Sequence, residues 1–205
     1  TPNGYKTSVV TGYKNVKITN QSVYYVADER DGTVLYAFVM AANGEEASAA
    51  KYAVVLDGTP VVSKDGNKDV YTYTVAVDGE ETTITTESTI TANDTAVDAG
   101  DIISYTVTNG KATATIEATA VAYKSDLTKP AAANADYIVV DDTQYDITDK
   151  TEVYKITMYE DRGQVAYEVT VVSGITTRDD LAYYDGNDRN ELSVAFIFVD
   201  ETPAP

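Results

Sequence analysis

The chain has 205 residues, a net charge of −18, and no histidine, cysteine or tryptophan. The charge argues against nucleic acid and anionic membrane surfaces as partners, because both are bound mainly through Lys and Arg. Disulfides, thiolate nucleophiles and soft-metal sites are excluded, and most acid–base catalysis at neutral pH uses histidine. With no apolar stretch long enough to span a bilayer, we expect a non-enzymatic protein without nucleic acid or membrane partners.

The first 46 residues contain four strand-like segments, at positions 8–11, 16–19, 23–26 and 34–40. These are too few for an independent core, since a lone hairpin is marginal in water. We predict a partial β module that docks on its own chain or donates strands to a neighbouring copy. A domain boundary in a longer protein explains the same pattern. The chain opens without an initiator Met, so we expect a processed chain or a fragment.

The rest of the chain is rich in β-branched and aromatic runs punctuated by turn signals, and helix signals are poor. We predict a β module over residues 47–125, a linker over 126–134, a second β module over 135–201 and a tail over 202–205. The fold class is therefore all-β, with two tandem small barrels or sandwiches that superpose, plus the N-terminal segment as the end of a third. Predicted hairpin turns include Asp57-Gly58, Asp65-Gly66, Asp78-Gly79, Asn109-Gly110, Arg162-Gly163 and Asp185-Gly186.

One motif recurs three times: an anchor tyrosine at the end of a strand, a turn, and then a second apolar strand. The anchors are Tyr25, Tyr105 and Tyr184, which lie 80 and 79 residues apart. A constant period of this kind indicates one supersecondary unit used repeatedly. Such arrays favour reach, rigidity or surface over a single catalytic site.

Two acidic turns are candidate calcium sites. The first contains Asp65, Asn67 and Asp69, and the second contains Asp185 and Asn187. Oxygen ligands at alternate positions of a tight loop suit Ca²⁺, which is the one cofactor that the sequence suggests. The alternative is that both segments are plain hairpin turns, since the full EF-hand pattern is missing.

Adjacent carboxylates occur at Asp141-Asp142 and at Asp179-Asp180. Neighbouring side chains of a strand point to opposite faces, so neither pair forms a catalytic dyad by itself. The 17 tyrosines are candidates for sugar-stacking platforms, but tyrosine is also a routine strand residue, and packing or subunit contacts are favoured.

The stretches Gly100-Asp101-Ile102-Ile103-Ser104-Tyr105 and Asp179-Asp180-Leu181-Ala182-Tyr183-Tyr184 resemble the repeated β regions of bacterial cell-surface proteins that carry S-layer homology anchors. The strand at 195–199 is similar to the one that closes each such unit. The resemblance covers most of the chain and implies an extracellular, non-enzymatic role in a surface layer or filament. The anchor domains themselves are absent from this sequence.

We therefore expect a structural cell-surface protein that self-assembles into an extracellular layer or filament. Its partners would be other copies of itself and, through parts outside this chain, cell-wall polysaccharide. The alternative is an adhesin or carbohydrate-binding β module displayed on the cell surface.

Overall fold

The computed structural model describes residues 22–27, 34–40, 51–108 and 110–202. Within these ranges the predicted all-β fold class is confirmed: there are sixteen strands and one turn of 3-10 helix, Ala122–Lys124. No helix in this part of the chain is both long and apolar enough to cross a membrane. The strands predicted at 8–11 and 16–19 lie outside the described residues.

The N-terminal hairpin consists of β1 (Ser22–Ala27) and β2 (Val34–Met40), which confirms the two strands predicted there. The strands are antiparallel, and Tyr25 lies opposite Ala37. Among the described strands these two pair only with each other.

A closed five-stranded barrel follows, with the order β3-β4-β5-β9-β8 and back to β3. All its pairings are antiparallel except β5 with β9, which are parallel and joined by the single pair Thr86↔Ala112. A small hairpin, β6 and β7, lies in the chain between β5 and β8. The bounds are β3 (Lys51–Asp65), β4 (Lys68–Val77), β5 (Glu80–Thr86), β6 (Thr91–Ala92), β7 (Thr95–Ala96), β8 (Ile102–Thr108) and β9 (Lys111–Ala118).

The predicted turn at Asp57-Gly58 is wrong, because β3 runs through both residues as one long strand. Its register against β4 shifts on both sides of Asp57, so the strand is bulged there. A Cβ at Gly58 would lie 2.7 Å from the Asp98 Cα, so this glycine permits a close backbone approach. By contrast, the turns at Asp78-Gly79 and Arg162-Gly163 are confirmed, with positive φ at all four residues.

The second half of the chain forms a mixed four-stranded sheet in the order β14-β13-β16-β15 and a three-stranded sheet in the order β10-β11-β12. In the larger sheet β13 and β16 are parallel, and the two outer pairings are antiparallel hairpins. The bounds are β10 (Ala132–Ala133), β11 (Tyr137–Val140), β12 (Thr143–Asp146), β13 (Glu152–Asp161), β14 (Gln164–Val171), β15 (Asp180–Gly186) and β16 (Leu192–Asp200).

The sequence repeat corresponds to a repeated hairpin. Tyr105 of β8 lies opposite Ala114 of β9, and Tyr184 of β15 lies opposite Ala195 of β16, as Tyr25 lies opposite Ala37. The strands around the hairpins differ. In the barrel, the parallel neighbour of β9 is β5, which also pairs with β4, the strand before it in the chain. In the sheet, the parallel neighbour of β16 is β13, which also pairs with β14, the strand after it in the chain. The two modules, which we expected to superpose, therefore differ in the chain order of their strands, and only the first closes into a barrel.

The barrel and the four-stranded sheet share one hydrophobic core. Alternate residues of β13 and β16 pack against the outer surface of the barrel, and the intervening residues face the three-stranded sheet. Segment 126–134, expected as a linker, takes part in this arrangement: Leu127 packs on the shared core, and Thr128 bridges Leu181. The buried members of the shared core are Val54, Ala76, Ile102, Tyr123, Tyr154, Ile156, Met158, Val169, Val194, Phe196 and Phe198.

Candidate functional site

The most distinctive chemistry lies where the barrel meets the four-stranded sheet. We call this contact the tyrosine seam and define it by Tyr52, Tyr123, Tyr154, Tyr167 and Tyr183. Each ring packs in or against the shared core. Strand alternation places them there: Tyr154 shares a face of β13 with buried Ile156, and Tyr167 shares a face of β14 with buried Val169.

Three hydroxyl groups of the seam, those of Tyr52, Tyr154 and Tyr183, donate hydrogen bonds to carboxylates across the contact. Tyr52 on β3 donates to Asp185 Oδ2 at the end of β15, at 3.0 Å. Tyr154 on β13 donates to Asp78 Oδ1 in the β4–β5 turn at 2.8 Å, and it also lies 3.1 Å from Glu152 Oε2. An apolar ring with a polar tip thus joins the two sheets through both packing and hydrogen bonds.

Phe196 lies at the centre of the seam and is 1% exposed. Its ring stacks on Tyr154 with centroids 5.1 Å apart. It also makes an edge contact with Tyr52 at 6.3 Å and a tilted contact with Tyr183 at 6.4 Å. Offset and edge contacts of this kind are the favourable geometries for aromatic pairs.

Burial raises the pKa of Tyr52, Tyr154 and Tyr183 well above the ordinary value for tyrosine. Nearby carboxylates raise it further, because a phenolate would then lie beside another negative charge. The same causes, burial and then Asp141, raise the pKa of Tyr184 to about 12. These hydroxyls stay protonated near neutral pH, so they serve as hydrogen-bond donors and not as bases.

Asp101 and Tyr123 fix the chain beside the seam. Asp101 is 3% exposed, and its carboxylate accepts backbone N–H groups from Asp98 at 2.9 Å and Ala120 at 2.8 Å. Burial raises the pKa of Asp101, and these two hydrogen bonds oppose the rise. The Tyr123 hydroxyl donates to the Gly100 carbonyl oxygen. The buried Asp101 carboxylate therefore holds the backbone at Asp98 and Ala120 in place.

The first predicted calcium loop forms the tip of the β3–β4 hairpin. Asp65 pairs with Lys111 at 3.0 Å, and Asp69 pairs with Lys64 at 2.6 Å. Asn67 lies in the two-residue turn between Asp65 and Lys68. The lysines already supply positive charge to both carboxylates, which favours the turn interpretation.

The second predicted loop overlaps β15. The hairpin turn predicted at Asp185-Gly186 is wrong, because both residues belong to β15 and pair with Val194 and Leu192 of β16. Asp185 accepts the Tyr52 hydroxyl, while Asn187 Oδ1 accepts the backbone N–H groups of Arg189 and Glu191. The Asn187 amide donates to Glu191. The candidate calcium ligands of this loop are therefore engaged within the fold, and no group of three or more acidic side chains in the described ranges is arranged to hold a metal ion.

The adjacent carboxylates are placed separately. Asp141 and Asp142 form the β11–β12 turn with φ of 49° and 61°, and Asp141 accepts the Tyr184 hydroxyl at 2.8 Å. Asp179 accepts the Thr176 backbone N–H, and Asp180 pairs with Lys129 at 3.3 Å. Asp141, Asp179 and Asp180 thus each have a partner of their own within the fold.

A hydroxyl-rich groove of about 430 Å³ opens where β5 and β9 separate in the barrel wall. We call it the barrel groove. It is lined by Thr86, Glu87, Ser88, Thr89, Ile90, Thr108, Lys111, Ala112, Thr113 and Ala114.

Sequence reasoning favoured packing for the tyrosines but did not identify their carboxylate partners. Tyr52 and Asp185 are 133 residues apart, and Tyr154 and Asp78 are 76 apart, so no local pattern links them. Comparison with known proteins finds no matching family model, no matching curated protein and no matching solved structure.

Proposed function

We propose that this chain is a structural, non-enzymatic protein of the cell surface that self-assembles into an extracellular layer or filament. The observation that carries the proposal is the β1–β2 hairpin. It has the same Tyr–Ala register as the two other hairpins. Those two belong to a barrel and a four-stranded sheet, whereas β1 and β2 have no third strand among the described residues. A unit that needs further strands is a natural point of assembly.

The contact between barrel and sheet supports a mechanical role. A shared apolar core and the hydrogen bonds of the tyrosine seam hold the two parts as one body. A rigid body transmits force to its neighbours, which a layer or filament requires. Cell-wall polysaccharide, through parts outside this chain, remains a proposed partner of such an assembly.

The test is assembly of the purified chain, followed by electron microscopy and sedimentation over a range of concentrations, with calcium and with chelator. We expect sheets or fibres that grow with protein concentration. A chain that stays monomeric under all these conditions contradicts the proposal.

The barrel groove favours a second candidate, an adhesin or carbohydrate-binding module. The exposed hydroxyl-bearing residues Ser88, Thr89 and Thr113 line it, and hydroxyl groups can exchange hydrogen bonds with a sugar. Binding of a glycan array by monomeric protein, lost in the Thr113→Val variant, would favour this function over assembly.

A further inference from the structure

We propose that Tyr145 and Tyr184 form a site of oxidative modification, at which a one-electron oxidant joins the two phenol rings through a carbon–carbon bond. The product is an intramolecular dityrosine cross-link, and the oxidant is hydrogen peroxide used by a haem peroxidase. The composition of the chain directs such an oxidation to tyrosine. Thiols and indoles give up an electron more readily than phenols, but the chain contains no cysteine and no tryptophan beside its 17 tyrosines.

The two rings meet where the three-stranded sheet contacts the four-stranded sheet. Tyr145 lies on β12 and Tyr184 on β15. Their ring centroids are 5.6 Å apart, with the ring planes at 68°. Both residues are half-buried, so each keeps a surface open to solvent. Rings joined through the carbons next to their hydroxyl groups lie only slightly closer together than this, so cross-linking requires movement of side chains and not of strands.

Gly186 gives Tyr145 its place beside Tyr184. This glycine lies on β15, two residues after Tyr184. A Cβ at position 186 would be 2.7 Å from Cδ1 and 2.8 Å from Cε1 of Tyr145. Any other residue would therefore push the ring of Tyr145 away from the strand. The contact between β12 and β15 is thus shaped around this ring, which keeps it next to Tyr184.

Asp141 supplies a proton acceptor for the oxidation of Tyr184. Its Oδ2 accepts the Tyr184 hydroxyl at 2.8 Å in an exposed part of the fold. Burial, followed by Asp141, raises the pKa of Tyr184 to about 12, so the residue is a phenol at neutral pH. A phenol that loses an electron becomes a strong acid, and the hydrogen-bonded carboxylate takes its proton as the electron leaves.

The cross-link removes two electrons and two protons from the pair. Each ring first loses the hydrogen atom of its hydroxyl group and becomes a phenoxyl radical. A bond then forms between one Cε atom of each ring, and the hydrogen atoms on these two carbons move as protons to the phenol oxygens. Hydrogen peroxide accepts the two electrons and two protons, its O–O bond breaks, and two water molecules form.

The ring pair in the tyrosine seam is a poorer target. Tyr52 and Tyr183 have centroids 5.9 Å apart, and both rings also contact the buried Phe196. Both are more deeply buried than Tyr184. An oxidant in solution therefore reaches Tyr184 more easily than the seam.

The cross-link acts as a staple in a chain that has no disulfide. Tyr145 and Tyr184 are 39 residues apart in the sequence. The bond joins two sheets beside the point where Asp146 bridges Glu191. A covalent link across a long segment restricts the unfolded chain and so stabilises the fold.

The test treats the full chain, at low protein concentration, with a haem peroxidase and hydrogen peroxide. Dityrosine fluorescence follows the reaction, and tandem mass spectrometry of the digested monomer identifies the joined peptides. Tyr145→Phe and Tyr184→Phe keep both rings but remove one phenol. The matched control is Tyr137→Phe, which changes a half-buried tyrosine of the same small sheet. Circular dichroism checks that each variant is folded.

Monomers of the unmodified chain and of the control should lose two hydrogen atoms, yield the peptide that joins Tyr145 to Tyr184, and melt at a higher temperature than untreated protein. Both pair variants should lack this peptide, and Asp141→Asn should form it more slowly. The inference is overturned if the monomer carries no dityrosine, if the bond joins other tyrosines such as Tyr52 and Tyr183, or if intramolecular cross-linking persists undiminished in either pair variant. An Asp141→Asn chain that reacts as fast as the unmodified chain overturns the role of Asp141 as proton acceptor.

Discussion

The β8–β9 and β15–β16 hairpins share one register but occupy different settings. In the barrel, β9 alternates between buried or half-buried and exposed positions, whereas β16 is buried on both faces. In each hairpin an alanine lies opposite the anchor tyrosine, and the next residue along the strand is Thr115 in β9 and Phe196 in β16. These two residues are therefore equivalent. The repeat therefore specifies a hairpin, while the layers around each hairpin determine which of its side chains are buried.

The largest expected effect comes from Phe196→Ala, compared with Thr115→Ala. Phe196 is 1% exposed and surrounded by seam tyrosines, so its truncation should lower the free energy of unfolding by about 3–5 kcal/mol. Exposed Thr115 should cost less than about 0.5 kcal/mol. Denaturant titration measures both values. Similar losses in the two variants would show that β9 and β16 are equally central.

The next comparison concerns Asp101 and Asp180, which lie four residues before their anchor tyrosines. Asp101→Asn should cost about 1–3 kcal/mol, since a buried acceptor of two backbone N–H groups is replaced by an amide with one carbonyl oxygen. Asp180→Asn should cost no more than about 1 kcal/mol, because its pairing with Lys129 is largely exposed. Equal losses, measured by denaturant titration, would contradict the buried role of Asp101.

The tyrosine seam predicts a loss of stability at alkaline pH. The pKa values of Tyr123 and Tyr154 are raised in the fold, whereas unfolded tyrosine titrates near pH 10. Above about pH 10 the unfolded chain releases protons first, so stability falls with rising pH by up to about 1.4 kcal/mol per pH unit for each such tyrosine. Below that pH the contribution is fully present.

Denaturant titrations at a series of alkaline pH values measure this slope. Tyr154→Phe should make it shallower, whereas Tyr159→Phe, outside the seam, is the matched control. A slope unchanged by Tyr154→Phe would show that this hydroxyl ionises as readily in the fold as in the unfolded chain.

The smallest expected effect concerns the acidic loops, one in the barrel and one at the end of β15. Lysines pair with Asp65 and Asp69, and Asp185 and Asn187 are engaged within the fold. We therefore expect similar melting temperatures with calcium and with chelator. A clear rise with calcium, abolished by Asp65→Asn or by Asp185→Asn, would identify which loop binds the ion.

Local patterns in the sequence predicted most of the hairpins. Features that depend on contacts between distant segments could not be predicted. Asp78-Gly79 was recognised because positive φ at both residues has a local residue signature, and Arg162-Gly163 because it separates two strand-like segments. Asp57-Gly58 has the same signature, but there the glycine serves a close approach to Asp98 that only the folded barrel creates. The difference in strand order depends equally on pairings between distant segments.

The candidate site shows the same difference between local patterns and distant contacts. That tyrosines would pack between strands was predictable from their amphipathic character, whereas the pairing of Tyr52 with Asp185 required the fold. Of the predicted calcium residues, Asn67 and Asn187 lie between strands as expected, whereas Asp65, Asp69 and Asp185 lie at the ends of strands. Their lysine and backbone partners come from other strands or from the loop's own geometry. The strands could therefore be predicted from the sequence, whereas the contacts between distant strands could not.

Native-state hydrogen exchange tests most directly whether the two hairpins belong to one body. The shared core predicts that the most protected amides of β8 and β16 open with the same free energy and respond alike to denaturant. Phe196→Ala should lower both values together. If β16 opens well before β8, and Phe196→Ala leaves the protection of β8 unchanged, the barrel and the sheet are separate units and the account is contradicted.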